Sequence, residues 1–345
     1  MSVRTIVQPF GEVAGKTVNK YTITEQSGIQ VSIINYGAII TELIVPDKKG
    51  APVDVVLGFS TLDGYLNAPD IYMGAVCGRY AGRISKGRFR INGDVYQLKS
   101  NNHVHTLHGG SKGFDKVIWE GEILKEGNGI ELNYFSKDGE EGFPGNLKTK
   151  VVYKVENNSL LIEYYATTDK PTPVNLTNHS YFNLTGNRAA TIFNHQLQLQ
   201  AKSVLETKDD LIPTGGLVAV ENSWLDYSSM QSLLKGFENG GYDHCYVIDK
   251  PDGSMIQAAV LKSSETGIVM NIHTTKPGVQ LYTGNYLHDQ LIDTKNNVPY
   301  SKYAGLCLET QSFPDSPNHK EFPNTILKPG EEYHEHTIYE FTIKN

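Results

Sequence analysis

The stretch RFRINGDVYQL (residues 88–98) carries the clearest fold signal in this 345-residue chain. Asn92-Gly93 stands at its centre and separates two short runs, 88–91 and 94–98. Each run contains both apolar and polar side chains, as strands commonly do. Asn-Gly is the strongest short hairpin signal, because both central residues of a type I′ turn need positive φ. We therefore predict two antiparallel strands joined by a tight turn.

The same rhythm of short strand and polar turn recurs along the chain. It predicts further hairpins at residues 20–34 around Ser27-Gly28, at 119–135 around Gly127-Asn128-Gly129, and at 151–165 around Asn157-Asn158. Only residues 228–235 suggest a helix, and it is a short one. Many short strands with Gly- and Asn-rich turns are typical of a large antiparallel β-sandwich or barrel. We predict an all-β fold, a large antiparallel β-sandwich with few short helices, and one domain over residues 1–345.

The composition is that of a globular chain with an acidic balance. Hydrophobic residues make up 39% and the net charge is −7. A negative surface repels nucleic acid and anionic membranes, so we expect neither as a partner and expect a small neutral molecule instead. The N-terminus MSVRTIVQPF has no apolar run of a signal peptide, and no stretch reaches the length of a membrane span.

The cysteine pattern predicts a reducing compartment. Cys77, Cys245 and Cys307 are odd in number and far apart, and no C-x-x-C motif occurs. This is typical of a reduced intracellular chain rather than a disulfide framework. We expect a cytoplasmic protein, and the sequence leaves open whether it is a monomer or a homodimer.

The segment NLTNHSYFNL (residues 175–184) has the densest chemistry. It should form the end of a strand and its exit, and it gathers Asn175, Thr177, Asn178 and Asn183 around His179. Buried polar groups need partners, so such density favours a histidine whose tautomer and orientation are held. The alternative for a lone histidine is a core residue satisfied by its neighbours.

NLTNHSYFNL resembles the signature decapeptide of the aldose 1-epimerase family, Asn-x-Thr-Asn-His-x-Tyr-Phe-Asn-Leu, at every specified position. Six further segments resemble family motifs in the family's order: GRYAGRI (78–84), LHGG (107–110) with GFDK (113–116), GFPGN (142–146), GYDH (241–244), QLYTGN (280–285) and LETQSFPDSPNH (308–319). The resemblance covers nearly the whole chain. It implies a supersandwich fold with a cleft on its concave face, and an enzyme that interconverts the α and β anomers of free hexoses such as galactose and glucose.

The resemblance also implies a role for each site residue. Glu309 is the base on the C1 hydroxyl and His179 is the acid on the ring oxygen, while His108 helps to hold the sugar and to polarise that oxygen. Asp243 and Arg83 hydrogen-bond the ring hydroxyls, and Gln280 and Tyr282 complete the wall. Arg79 is the arginine that the family match does not use. No cofactor and no metal are implied.

The residues themselves are suited to this chemistry. Opening a pyranose needs a base for the anomeric hydroxyl and an acid for the ring oxygen, both within hydrogen-bond reach. Residues 305–310 (GLCLET) alternate, so Cys307 and Glu309 should point the same way from a strand. We expect Phe313, Pro314 and Pro317 to shield the carboxylate; the alternative is a solvent-facing glutamate on an edge strand. Cys307 is better read as a small buried hydrophobe than as a nucleophile.

Two other classes of protein stay open. His103-x-His105 and His334-x-His336 could each present two imidazoles on one face of a strand and, with Glu309, form a cupin-like metal centre. A non-catalytic sugar-binding module is the second alternative. A phosphorylated substrate would need a basic cluster, and only Arg79 and Arg83 lie close together in sequence. An unphosphorylated sugar is therefore favoured.

Overall fold

The computed structural model describes residues 3–186, 191–249 and 253–344. The predicted domain 1–345 also includes residues 1–2, 187–190, 250–252 and 345, which lie outside this description. The first five strands pair in chain order into an N-terminal sheet: β1 (Val3–Val13), β2 (Lys16–Glu25), β3 (Gln30–Ile34), β4 (Ile39–Pro46) and β5 (Pro52–Asp54). The pairing of β2 with β3 confirms the hairpin predicted at residues 20–34.

A region of short elements follows the N-terminal sheet. It consists of helix α1 (Leu62–Asn67) and strands β6 (Val76–Cys77), β7 (Arg83–Ile84), β8 (Arg88–Ile91), β9 (Asp94–Gln97) and β10 (Thr106–Leu107). Strand β7 pairs with β10, and β8 pairs with β9. Asn92 and Gly93 between β8 and β9 have φ of 53° and 94°. The Asn-Gly hairpin is confirmed, with the positive φ values that its turn requires.

The rest of the chain builds two more large sheets. Its strands are β11 (Glu120–Ile123), β12 (Gly129–Ser136), β13 (Leu147–Glu156), β14 (Ser159–Thr168), β15 (Thr172–Pro173), β16 (Thr177–Asn178), β17 (His195–Leu199), β18 (Ala201–Thr207), β19 (Pro213–Ala219), β20 (Gln231–Ser232), β21 (Asp243–Ile248), β22 (Ile256–Ser263), β23 (Ile268–Thr274), β24 (Gly278–Tyr282), β25 (Cys307–Gln311), β26 (Ile326–Leu327) and β27 (Tyr333–Ile343). Single 3₁₀ turns lie at Pro69–Ile71, Ser85–Gly87, Phe114–Lys116, Glu140–Gly142, Lys295–Asn297 and Ser316–Asn318.

A nine-stranded sheet has the order β11-β12-β13-β14-β27-β23-β22-β17-β20. A five-stranded sheet, which we call the site sheet, has the order β19-β18-β21-β24-β25. The hairpins predicted at residues 119–135 and 151–165 are the β11–β12 and β13–β14 pairs. Asn157 and Asn158 have φ of 52° and 60°, so they form the predicted tight turn.

The helix predicted at residues 228–235 is wrong over most of its length. Only α2 (Leu234–Phe237) is helical, and β20 pairs with Gln196 and Leu197 of β17. Asp226 Oδ1 accepts hydrogen bonds from the backbone N and the hydroxyl of Ser228. The Asp226 side chain and strand β17 therefore bind backbone groups that would otherwise have formed the hydrogen bonds of a helix.

One continuous core joins the three large sheets. It includes Ile33 of β3, Tyr153 of β13 and Leu281 of β24, each with no side-chain exposure. All pairs between the strands named above are antiparallel, and the few helices are short. The predicted all-β antiparallel sandwich is confirmed. No helix in the described ranges is both long and apolar enough to cross a bilayer.

Candidate active site

All seven residues predicted to form the site line one cleft of about 120 Å³. They are Arg83, His108, His179, Asp243, Gln280, Tyr282 and Glu309. The site sheet supplies four of them, the β7–β10 pair and the loop after it supply two, and the exit of β16 supplies His179. The fold thus brings together side chains that lie up to 226 positions apart in sequence, from residue 83 to residue 309.

The floor of the cleft is one face of the site sheet. In antiparallel strands, directly opposed residues share a face, and so do residues two apart. Two rows cross strands β21, β24 and β25 in this way: Asp243, Tyr282, Cys307 and, beside it, Cys245, Gln280, Glu309. The register of three strands therefore sets the spacing of Asp243, Gln280 and Glu309.

Glu309 lies on the edge strand β25, yet it is only 2% exposed. The segment that carries His179 covers that edge: Phe182 bridges Leu306, and the Thr177 hydroxyl donates to the Thr310 carbonyl. The alternative of a solvent-facing glutamate is wrong for this reason. Glu309 Oε2 is buried and has no hydrogen-bond partner in the described part of the chain. A free buried carboxylate oxygen in a cleft is available to a ligand hydroxyl.

The segment 175–184 holds His179 mainly through the backbone. The His179 N–H donates to Ala75 O, and its carbonyl accepts from Gly74 N. Asn175 and Asn178 donate their side-chain amides to backbone carbonyls rather than to the imidazole. The polar residues of the motif thus fasten the segment to its neighbours and place His179 indirectly, which corrects the expectation that they surround its ring.

The ring of His179 has two polar neighbours. Its Nε2 lies 3.6 Å from Glu309 Oε1, and its Nδ1 lies 3.4 Å from Cys307 Sγ. Cys307 is buried as predicted, and in addition it contacts the histidine. The rings of Tyr181 and Tyr72 lie 5.1 Å and 5.8 Å from the imidazole. His179 is therefore fixed against Glu309 inside an aromatic and thiol shell.

Burial disfavours the charged form of both members of this pair. It raises the pKa of Glu309 well above its usual range, the neighbouring Asp243 raises it further, and Arg83 opposes the rise. Burial also lowers the pKa of His179 to about 4. Burial thus favours the neutral form of each group, a protonated carboxyl at Glu309 and an unprotonated imidazole at His179.

His108 follows β10 in a left-handed conformation, with φ of 50°. Its Nδ1 accepts a hydrogen bond from Gly82 N at 3.2 Å. A neutral imidazole carries one proton, so the proton of His108 lies on Nε2. Burial lowers the pKa of His108 well below its usual value, and His179 and Arg83 lower it further. His108 thus presents a neutral N–H donor beside His179, whose ring it meets edge-on at 5.4 Å.

Arg83, Asp243 and Gln280 form a polar wall. Gln280 Nε2 donates to Asp243 Oδ1 at 2.7 Å, which orients the carboxylate. Arg83 Nε donates to Asn102 Oδ1 at 3.3 Å. Burial raises the pKa of Asp243, and the positive charge of Arg83 opposes part of this rise. This group offers both donors and acceptors to hydroxyl groups in the cleft.

Tyr282 supplies an apolar surface to the same wall. Its hydroxyl accepts from the backbone N–H of Tyr286, and its ring packs edge-on against Tyr181 at 5.9 Å. Arg79, in contrast, is buried away from the cleft lining, where it donates to Pro144 O and to Ser136 Oγ. The expectation that Arg79 does not serve the site agrees with this position.

The alternative metal centre, built from the two His-x-His pairs and Glu309, does not form among the described residues. His103 is exposed, whereas His105 is buried, accepts from Lys86 N and lies 3.3 Å from Asp210. His334 and His336 lie on β27 in the nine-stranded sheet and approach Glu163, whereas Glu309 lies on the site sheet. Neither pair therefore shares a centre with Glu309.

His108, His179 and Glu309 themselves have the ligand types of a metal site, with one donor atom from each within 4.8 Å of the others. The tautomer of His108 opposes such binding. Its Nδ1 lone pair is taken by Gly82 N–H, so Nε2 is protonated and has no lone pair for a cation. The arrangement is better suited to hydrogen bonding and proton transfer.

The cleft lining also includes residues that the sequence analysis missed, Tyr72 and Gln311 among them. Tyr72 packs its ring 4.6 Å from that of His108, and Gln311 Nε2 donates to Gln280 Oε1 at 3.4 Å. Gln311 stands two residues after Glu309, so strand alternation could have identified it. Tyr72 lies in a loop outside any motif, and no sequence signal marks it.

Comparisons with known proteins all indicate the same family. A family model described as aldose 1-epimerase matches residues 19–340. The chain is 43% identical over 339 residues to a galactose mutarotase of Mus musculus, covering 97% of each chain. It is 35% identical over 338 residues to an aldose 1-epimerase of Escherichia coli (strain K12), covering 95% of this chain and 96% of that one. A solved aldose epimerase homologue from C. elegans superposes with a TM-score of 0.88 at 30% identity, covering 95% of this chain and 100% of that chain.

Proposed function

The chain belongs to the aldose 1-epimerase family, and from this premise we propose that it interconverts the α and β anomers of free hexoses, galactose and glucose among them, without a cofactor. The observation that carries the proposal is the buried pair of Glu309 and His179, with Oε1 and Nε2 3.6 Å apart at the bottom of the cleft. The anomeric and ring oxygens of a pyranose are both bonded to C1. One base and one acid this close together can therefore reach both oxygens of one sugar.

The reaction begins with ring opening. Glu309 takes the proton of the C1 hydroxyl, the C1–O1 bond becomes a carbonyl, and the C1–O5 bond breaks. The electron pair of that bond goes to O5, which takes a proton from His179 Nε2. After rotation about C1–C2, O5–H attacks the other face of the carbonyl, His179 recovers its proton and Glu309 returns its own to O1.

Burial of the pair favours the opening step. Opening converts a charged pair, carboxylate and imidazolium, into a neutral pair, and burial destabilises the charged forms. The bound sugar opposes this, because its C1 hydroxyl donates to Glu309 Oε2, which no described residue hydrogen-bonds, and its ring oxygen accepts from His179. These two contacts draw the shared proton from Glu309 to His179 and prepare the reactive state.

The remaining predicted residues orient the sugar. Asp243 accepts from ring hydroxyls, Arg83 donates to them and Gln280 contributes its amide. His108 donates Nε2–H toward the ring oxygen, and the Tyr282 ring covers an apolar face of the sugar.

A free, unphosphorylated sugar suits the charges of the cleft. Within the described ranges, Arg83 is the single Lys or Arg that lines the cleft, whereas Asp70, Asp243 and Glu309 are carboxylates. A phosphate group would need several cationic partners. An uncharged hexose needs none.

The test is polarimetry of freshly dissolved α-galactose and α-glucose, with chelator present. Glu309→Gln and His179→Asn should each lower kcat by roughly two to four powers of ten, the usual effect of a positioned acid or base. Glu156→Gln changes a half-buried carboxylate that pairs with Lys154 and does not line the cleft, so it should leave the rate unchanged. Near-normal rates in Glu309→Gln would remove that residue from its role. Loss of the wild-type rate on chelation would favour a metal enzyme, and sugar binding without any mutarotation would favour a binding module.

We further propose a single domain over residues 1–345 and a cytoplasmic monomer or homodimer that serves hexose metabolism without nucleic acid or membrane partners. The core shared by the three large sheets supports the domain. Free Cys77, Cys245 and Cys307 support a reducing compartment, and the net charge of −7 disfavours anionic partners.

A further inference from the structure

A second cluster of ligand-type side chains lies outside the cleft, on the nine-stranded sheet. Glu163 of β14 stands directly opposite His336 of β27, and His334 stands opposite Tyr165. Because β14 and β27 are neighbours, both imidazoles and the carboxylate lie on the same sheet face. The proposed reaction uses none of them.

The three donor groups are already close. His336 Nδ1 lies 3.3 Å from Glu163 Oε1, and His334 Nε2 lies 3.8 Å from the same oxygen. One donor atom from each lies within 4.8 Å of the others. Zinc ligands lie about 2.0–2.2 Å from the ion in a tetrahedral site, so donors at these separations need only small side-chain rotations to share one ion.

We propose that Glu163, His334 and His336 bind Zn²⁺, with water as the fourth ligand, and that the ion ties the C-terminal strand β27 to β14. Two imidazoles and one carboxylate are a ligand set that zinc accepts in proteins. Two rigid neighbouring strands carry the three groups, so little conformational entropy is lost when the ion binds.

Contacts around the cluster hold the ligands in place, as is usual for metal sites. The His334 ring stacks on Tyr165 at 4.1 Å, and the Tyr165 hydroxyl donates to Glu163 Oε1 at 3.3 Å. The backbone N–H of His336 donates to Thr275 Oγ1, and its carbonyl accepts from the Thr274 hydroxyl.

The other His-x-His pair of the chain provides a matched control. His103 is exposed, and His105 is held by Lys86 N and Asp210, so this pair has the same sequence pattern without a shared centre. Glu309→Gln provides a second control, because it removes a ligand from the group formed by His108, His179 and Glu309 in the cleft.

The experiment titrates tag-free, chelator-treated full-length protein with Zn²⁺ by calorimetry, and with Co²⁺ to detect tetrahedral coordination from its visible spectrum. The wild type should bind one Zn²⁺ per chain, and Zn²⁺ should raise Tm, because it binds the folded chain preferentially. His336→Ala and Glu163→Gln should each weaken binding by at least about tenfold and abolish the rise in Tm. His103→Ala and Glu309→Gln should bind Zn²⁺ as tightly as the wild type and show the same rise in Tm.

Three results would overturn the proposal. The first is absence of saturable binding by the wild type. The second is loss of binding in Glu309→Gln with retention in His336→Ala, which would place the ion in the cleft. The third is an equal loss in His103→Ala and His336→Ala, which would indicate nonspecific binding by surface histidines. Glu163→Gln keeps the test decisive if His336→Ala does not fold, since it retains both imidazoles and the size of the side chain.

Discussion

At the scale of single residues, Glu309 and His179 form the proposed acid–base pair. Their pKa values move in opposite directions for the same reason, burial of both groups in one place. Two interacting groups titrate in two steps that belong to the pair rather than to either residue. The pH dependence of the reaction therefore reports how many protons the pair carries.

The pair predicts a broad bell in kcat/KM. As pH falls through about 4, His179 becomes protonated while Glu309 keeps its proton. The pair then carries two protons, and activity is lost on the acid side. As pH rises through the raised pKa of Glu309, the pair loses its single proton, and activity is lost on the basic side. Mutarotation rates of galactose between pH 4 and pH 9, corrected for the uncatalysed reaction, measure both limbs. An acid limb near the ordinary histidine pKa of about 6.5 would contradict burial as the controlling effect.

The residues proposed to hold the sugar should behave differently from the pair. Asp243→Asn keeps the acceptor that Gln280 binds but removes the charge, and Arg83→Ala removes a donor to the sugar. Both should raise KM more than they lower kcat, in contrast to Glu309→Gln. Saturation curves for galactose separate the two constants. A fall in kcat alone, with KM unchanged, would show that these residues act on the reacting bonds instead.

At the scale of elements, the loop after β10 places His108, and a glycine makes its path possible. Gly109 has φ of 93°, and a Cβ there would lie 1.9 Å from Gly78 O. Gly93 in the β8–β9 turn has nearly the same φ, 94°, but a Cβ there would meet nothing within 4 Å. A side chain at Gly93 would therefore add backbone strain alone, whereas a side chain at Gly109 would add both backbone strain and a steric clash.

This difference predicts unequal effects of alanine. Gly93→Ala should cost roughly 1–2 kcal/mol of stability, the penalty of a left-handed residue, and leave kcat unchanged. Gly109→Ala should cost roughly 1–3 kcal/mol more because a backbone clash is added, and it should lower kcat at least tenfold because His108 moves. Urea unfolding and polarimetry measure the two effects. Equal losses of stability in the two variants would rule out the clash.

At the scale of the whole molecule, the three sheets share one core, and that core encloses ionisable groups far from the cleft. His195 begins β17, has no exposed surface and accepts a hydrogen bond from Leu184 N at 2.8 Å. Burial lowers its pKa to about 4. His195 therefore stays neutral in the folded chain down to about pH 4, whereas in the unfolded chain it takes up a proton near pH 6.5.

His195 should therefore make the fold less stable in acid. Between about pH 6.5 and pH 4 the unfolded state binds the additional proton, so the free energy of unfolding falls as pH falls. His195→Gln keeps an acceptor for Leu184 N and does not titrate. Urea unfolding at pH 7 and pH 4.5 should show about 2–3 kcal/mol less loss of stability in the variant than in the wild type. Equal losses in both proteins would show that His195 is protonated in the folded state.

How far the sequence predicts this molecule depends on the range of the interaction involved. The Asn92-Gly93 and Asn157-Asn158 turns were predictable because a type I′ turn is a property of two adjacent residues. Residues 228–235 were not, because β17, a distant part of the chain, pairs with β20 and replaces the helix. The candidate site was predicted through ordered motifs, while Tyr72 remained unseen because it meets His108 only in space.

The sequence by itself determined the antiparallel fold class, the hairpins and seven of the side chains that meet in the cleft. Tertiary structure alone decided that Glu309 is buried on an edge strand, that its Oε2 has no hydrogen-bond partner among the described residues, and that Cys307 contacts the His179 ring. It also brought Glu163 beside His336, about 170 residues away in the chain. Turn geometry and alternation follow from neighbouring residues, whereas burial and the pKa shifts that it causes depend on every segment packed around a group.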